Sequence, residues 1–249
     1  MASVKDHYDS HLAPLYTWMH GGAEVPRRQF AELLGELSLR PSVPGATALD
    51  LGAGSGFQTL PLAAAGYAVT AVDLSEVLAA ELSHEAAAAH LLVRMVVGDM
   101  CDVARHCPMP APEVIVCMGD TLTHLATLDE VARLLRDSAA ALAPNGHLLL
   151  SFRDYSTARL GADRFIPVRS DTDRIFTCFL EFGPTHLTVH DIVHTRAGEN
   201  WHMTVSVFEK IRLAPAWVAA QLTAAGLIIV RHTAQNGLVT LVARRPAVS

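Results

Sequence analysis

The stretch Ala48-Leu49-Asp50-Leu51-Gly52-Ala53-Gly54-Ser55-Gly56 decides how this chain reads. A short apolar strand, Thr47–Leu51, runs into three glycines spaced G-x-G-x-G, with an acid two residues before the first. Glycines let the backbone turn sharply and approach a ligand closely, and the N-terminus of the following helix favours negative charge. A dinucleotide fingerprint, G-x-G-x-x-G, needs a glycine at position 57, where the chain has Phe57. Further along, strands and helices alternate. Ala68–Val72, Val93–Val97, Val114–Met118 and His147–Phe152 are short apolar runs of the kind buried on both faces of a parallel sheet. Ser75 can cap a helix running to about His90, and Thr127-Leu128-Asp129-Glu130 is a capping box. Two strand ends carry acids: Asp73 after the second strand, placed to accept ribose hydroxyls, and Asp99 after the third. The pattern predicts an α/β fold with a Rossmann-like, doubly wound sheet.

The composition fits one large domain or a domain with an insertion. Of 249 residues, 51% are hydrophobic and 18% charged, too apolar for a disordered chain. A net charge of -6 gives no electrostatic case for nucleic acid, so none is expected as a partner. Cys101, Cys107, Cys117 and Cys178 form no CxxC pair, which favours a reducing cytoplasm over disulfides or structural zinc. The opening MASVKDHYDS has no apolar run and does not read as a signal peptide. The longest charge-free apolar stretch, Ala214 to Val230, is too short and broken to span a bilayer, so no membrane is expected either.

The glycine loop with Asp50, Asp73 and Asp99 at three successive strand ends resembles the class I S-adenosylmethionine-dependent methyltransferases over about residues 46–152. What the resemblance implies is a mostly parallel sheet whose last strand, in the hairpin Leu227–His232 and Leu238–Arg244, is antiparallel. It also implies S-adenosylmethionine as cofactor. Gly52, Ala53 and Gly54 would then wrap its methionine part, Asp73 would hold the ribose, and Leu74 would pack on the adenine. Asp99 and Met100 would lie at the adenine rim, and Met118 and Gly119 near the sulfonium. Glu113 stands where the family often has Asp at the start of the fourth strand.

Upstream, Tyr8, Tyr16, Trp18 and His20-Gly21-Gly22 look like the lid segment of glycine N-methyltransferase-like enzymes. Phe30, Leu33, Leu34 and Leu37 form a helical apolar stripe, and Arg27 sits one turn before it on the inward side. Such an arginine is a candidate clamp for the cofactor carboxylate. After the fourth strand, Asp120 and His124 are the candidate catalytic residues, able to hold or deprotonate an acceptor; Arg153-Asp154-Tyr155 are further substrate-contact candidates.

From about residue 164 to 212 the period changes to two. Arg174–Phe182, Thr185–Thr195 and Trp201–Ile211 read as an antiparallel meander inserted before the last helix. His186, His190 and His194 stand four apart, about 13 Å along a strand, too far for one zinc with Zn–N near 2 Å. No metal is expected; these histidines, with Thr188, form a polar face opposite Leu187, Val189 and Val193. Both faces of the meander carry bulky apolar residues, Phe176, Cys178, Leu180 and Phe182 on one and Ile175 and Phe179 on the other, with a further row of Trp201, Met203, Val205 and Val207. One face can cap the substrate; the other asks for a partner, most simply a second copy in a homodimer.

The expected organisation is a helical lid over 1–42, a cofactor domain of 43–160 and 213–249, and an antiparallel insertion over 161–212. The expected activity is methyl transfer from S-adenosylmethionine to a nitrogen or oxygen of a small molecule. The alternatives are a catalytically inactive S-adenosylmethionine-binding regulatory subunit and, behind it, a nicotinamide-dependent dehydrogenase.

Overall fold

A computed structural model describes residues 4–247 of the chain. Its centre is a seven-stranded sheet in the order β10-β11-β5-β4-β1-β2-β3. The strands are β1 (Thr47–Leu51), β2 (Ala68–Asp73), β3 (Val93–Val97), β4 (Val114–Cys117), β5 (His147–Arg153), β10 (Ile228–Gln235) and β11 (Leu238–Arg244). β1 pairs in parallel with both β2 and β4, and β5 in parallel with β4, whereas β11 pairs antiparallel with both β5 and β10. The expected α/β architecture and its antiparallel last strand are therefore present. β1 and β4 are buried along their whole lengths, which explains their lack of alternation.

Helices cover both faces. On one, Phe30 and Leu34 of α3 (Glu24–Glu36) pack with Leu62 and Tyr67 on Val69, Val114, Val116 and Leu149. On the other, α7 (Leu128–Ala141) and α8 (Pro215–Ala224) pack Leu134, Leu135, Val218 and Leu222 against Ile115, Leu148, Leu150 and Phe152. Leu82 and Ala86 of α5 (Glu76–Ala88) press on Ala53 and Leu60. The caps read from sequence form. Ser75 Oγ accepts from Leu78 N at 3.3 Å, and Thr127 Oγ1 from Glu130 N at 3.1 Å, while Glu130 returns a bond to Thr127 N. Met118 falls just beyond β4, where the sequence reading kept it inside the strand.

The meander is a separate four-stranded antiparallel sheet in the order β6-β7-β8-β9: β6 (Phe165–Ser170), β7 (Arg174–Phe182), β8 (His186–Ala197) and β9 (Asn200–Ile211). Its inner face carries Phe176, Leu180, Leu187, Val189, Val193 and Phe208, all buried. Its outer face leaves Ile175, Trp201, Met203 and Val205 exposed. Between the two sheets runs the N-terminal segment, helical throughout: α1 (Val4–His7), one π-helical turn (Tyr8–Leu12) and α2 (Ala13–Met19). The sequence reading expected a helical N-terminus with these aromatic residues, but not the π-helical turn that carries Tyr8. Leu12 packs with Phe176 and Val193, and Trp18 Nε1 donates to Asp171 Oδ2 at 2.6 Å. Among the described residues no helix is long and apolar enough to cross a membrane.

Candidate active site

The strand order reverses between β1 and β4, and their carboxyl ends open into a crevice, as open α/β sheets require. The glycine loop fills one side. Gly52 has φ +75°, and a Cβ there would lie 2.2 Å from Thr121 Cγ2. Gly56, at φ +85°, would drive a Cβ to 2.4 Å from Leu82 Cδ1. Side chains at either position would prise the loop off its neighbours. Asp50 lies beneath the loop, 1% exposed, and accepts from Thr59 Oγ1 at 2.6 Å, tying the end of β1 to α4 (Thr59–Ala64). Burial pushes the Asp50 carboxyl up to about 7, against the pull of the Thr59 hydroxyl. Asp73 braces the loop from the next strand: Oδ2 accepts from Gly54 N at 2.7 Å and Oδ1 from Ser75 N at 2.8 Å. Burial raises its pKa, and those two amides restrain the rise.

Two cavities meet at this edge. The first, about 260 Å³, is lined by Gly52, Gly54, Asp73, Leu74, Asp99, Met100 and the N-terminal Tyr8 and Tyr16, with His124 at its inner end. The second, about 170 Å³, lies under the meander and is lined by Gly119, Asp120, Tyr155, Asp191, Phe208 and Lys210. Tyr8, Tyr16 and His124 line both and form the partition between them. Tyr8 Oη lies 3.2 Å from His124 Nε2, while the buried His124 Nδ1 has no partner among the described residues. Burial, with the charges of Lys210 and His7, lowers the His124 pKa well below its ordinary value, so the imidazole is neutral at pH 7. Burial likewise keeps the Tyr8 phenol protonated.

Six of the residues assigned to the cofactor by resemblance line the first cavity: Gly52, Gly54, Asp73, Leu74, Asp99 and Met100, joined by Tyr8. Gly119 faces the second cavity instead. The others lie elsewhere. Ala53 is 3% exposed in the packing under α5, and Met118 leans on the core around Val114 and Val116. Trp18 turns to the meander, where Arg174 stacks on its ring at 4.3 Å. Arg27 is ion-paired to Glu85 at 2.6 Å behind the loop, so its inward helix position leads to α5 rather than to the cleft. Asp120 is 6% exposed and holds the meander to the sheet, accepting from Arg153 N at 2.8 Å and pairing with Lys210 Nζ. Burial presses the Lys210 pKa down, but the Asp120 charge outweighs it and the ammonium is retained.

Sequence reading did not assign Tyr16, Ser75, Asp191, Phe208 or Lys210 to a site. Ser75 Oγ donates to Asp9 Oδ1 at 2.6 Å, pinning the N-terminal segment over the first cavity. An acid within the apolar row Leu187, Val189, Val193 was the available signal for Asp191.

Known proteins agree with this geometry. Residues 48–146 match the family described as a methyltransferase domain. A glycine/sarcosine N-methyltransferase of Aphanothece halophytica is 29% identical over 107 residues; the match covers 43% of this chain and 40% of that relative. The CcbJ methyltransferase of Streptomyces caelestis superposes with a TM-score of 0.75 at 22% identity, over 98% of this chain and 97% of that one. An S-adenosylmethionine-dependent methyltransferase from Clostridium acetobutylicum ATCC 824 gives 0.74 at 15% identity, over 89% and 92%. The chain thus shares the fold of these solved methyltransferases, and its match to the methyltransferase-domain family, residues 48–146, contains the glycine loop, Asp73 and Asp99.

The buried Asp50 gives a pH test of the loop. Its folded pKa is raised, so its contribution to stability is complete below the unfolded value near 4 and is lost as pH rises through about 7. Urea midpoints of the wild type should fall relative to Asp50→Asn between pH 4 and 7 and run level with it above that range. A wild type that gains on the variant over the same interval contradicts the assignment.

Proposed function

We propose that the protein transfers the methyl group of S-adenosylmethionine to a nitrogen or oxygen of a small molecule. The observation that carries this reading is the pair of cavities sharing only the Tyr8, Tyr16 and His124 partition at the carboxyl ends of β1 and β4. The first cavity fits the cofactor in kind: carboxylates at the ends of β2 and β3 for a ribose and an amino group, Leu74 and Met100 for a purine face, and a glycine loop that admits close approach. Phe57, 5% exposed and stacked on Tyr16 with ring centroids 5.6 Å apart, occupies the place of the third dinucleotide glycine, which speaks against the dehydrogenase reading.

When bound, S-adenosylmethionine supplies an electrophilic methyl group on a sulfonium. The chain supplies placement and dryness. Asp73 holds Gly54 and Ser75 in the loop conformation that receives the cofactor. The N-terminal segment, fixed by Asp9 to Ser75 and by Thr17 to Glu81, covers the first cavity and excludes water. Neutral His124 can take a proton from the acceptor: with Nε2–H donating to Tyr8 Oη, Nδ1 is left as a free acceptor at the junction of the cavities. A hydroxyl acceptor uses that base directly; an amine acceptor needs only to be in its neutral form. The four cysteines are unbridged, which suits the cytoplasm.

Calorimetry with S-adenosylhomocysteine tests the cofactor half of this reading. The wild type should bind it and not NAD, and Asp73→Ala should bind roughly 10–150-fold more weakly, the loss of about 1.5–3 kcal/mol for a hydrogen bond to a charged group. Equal affinity for wild type and variant overturns the assignment of this strand end.

We infer, too, that the exposed outer row Ile175, Trp201, Met203 and Val205 is covered by a second copy of the chain. Light scattering should give twice 26.7 kDa at micromolar concentration; a mass of 26.7 kDa at every concentration contradicts the dimer.

A further inference from the structure

The inner row of β8 reads Leu187, Val189, Asp191, Val193, so one carboxylate stands among apolar side chains facing the sheet. The strand register sets Cys178, Asp191 and Ser206 side by side across β7, β8 and β9. Asp191 is 2% exposed and lines the second cavity. Burying a carboxylate is costly unless donors surround it, and two oxygens offer about four acceptor positions. Here the donors fall short. Cys178 Sγ donates to Oδ1 at 2.9 Å, and a thiol is a weak donor. His7, with no exposed surface, brings Nε2 to 3.3 Å of Oδ2 but outside hydrogen-bond alignment, because its ring is committed through Nδ1 to Ser206 Oγ at 2.7 Å and stacks on Phe208. Lys210, whose charge reaches Asp191, is paired with Asp120, and His11 beside Asp191 has its pKa lowered by burial. The second cavity thus holds two carboxylates, Asp120 paired with Lys210 and Asp191 ion-paired to no lysine or arginine among the described residues, although Arg153 and Arg159 also line the cavity, with apolar walls from Leu12, Phe176, Leu180 and Phe208.

We propose that Asp191 is an acceptor-binding residue that recognises a cationic ammonium group, so that the small molecule methylated here carries an ammonium on an apolar body. The proposal rests on the methyltransferase reading of the site. An ammonium brings both the positive charge and the several N–H donors that Asp191 lacks. A neutral hydroxyl would bring one donor and leave a buried negative charge uncompensated.

The test uses benzylamine, protonated at pH 7, and benzyl alcohol as matched probes, titrated into the full chain saturated with S-adenosylhomocysteine. The wild type should bind benzylammonium at least ten-fold more tightly than benzyl alcohol. Asp191→Asn should abolish the preference and keep the affinity for S-adenosylhomocysteine; Asp191→Glu should retain part of it. A preference that survives in Asp191→Asn, or is absent from the wild type, overturns the proposal. If Asp191→Asn does not fold, the Asp191 carboxyl carbon resonance of the labelled wild type decides: it should move with benzylammonium and not with benzyl alcohol, and no movement overturns the proposal. A wild type that fails to bind S-adenosylhomocysteine removes the methyltransferase reading and this proposal with it. One that binds it without the amine preference removes this proposal alone.

Discussion

The reversal of strand order between β1 and β4 is the constraint on which the rest depends. Neighbouring parallel strands that continue in one direction have their ends covered by the crossovers that join them. Where the direction reverses, crossovers leave to opposite sides and the carboxyl ends stay open. Everything chemically distinctive in this chain collects at that opening. The glycine loop leaves β1, Asp73 ends β2, and Gly119 to His124 follow β4. Strands buried on both faces can present polar groups only at their ends, so the site has to be assembled from loops.

An open crevice admits water, and the methyl transfer proposed for this site needs water kept out. The N-terminal segment closes it by bridging the cofactor side and the meander. Asp9 reaches Ser75 on the cofactor side, and His7 reaches Ser206 on the meander side. The meander is held in turn by the Lys210–Asp120 pair, where a residue of β9 meets the turn after β4. One consequence is that Tyr8, Tyr16 and His124 become a shared wall rather than surface residues. The aromatic contacts of Phe208 with both His7 and His124 extend that wall into the second sheet.

How much of this was legible in the sequence follows from the range of the interactions. Gly52, Gly54 and the capping residues Ser75 and Thr127 act within one loop or one helical turn, and Asp73 and Asp99 stand at the ends of strands that apolar runs mark, so the local pattern places all of them. Trp18 was expected in the cleft from the lid resemblance and Arg27 from helical facing, yet their partners, Asp171 with Arg174 and Glu85, lie far along the chain. Alternation correctly divided β8 into a histidine face and an apolar face. It could not say that the apolar face would close over the crevice, so Asp191 and Lys210 went unassigned. Asp120 was recognisable as a residue at the right strand end, but its pairing with Lys210 depends on a sheet that begins some forty residues later.

Hydrogen–deuterium exchange with and without S-adenosylhomocysteine tests the central claim most directly, because it reports every segment of the crevice at once. The account predicts slower exchange in 4–20, 52–60, 73–78, 98–101 and 119–125, and unchanged exchange along the outer edge of the meander at 200–206. Protection confined to other segments, or no difference between the two states in the glycine loop and the N-terminal helices, would contradict it.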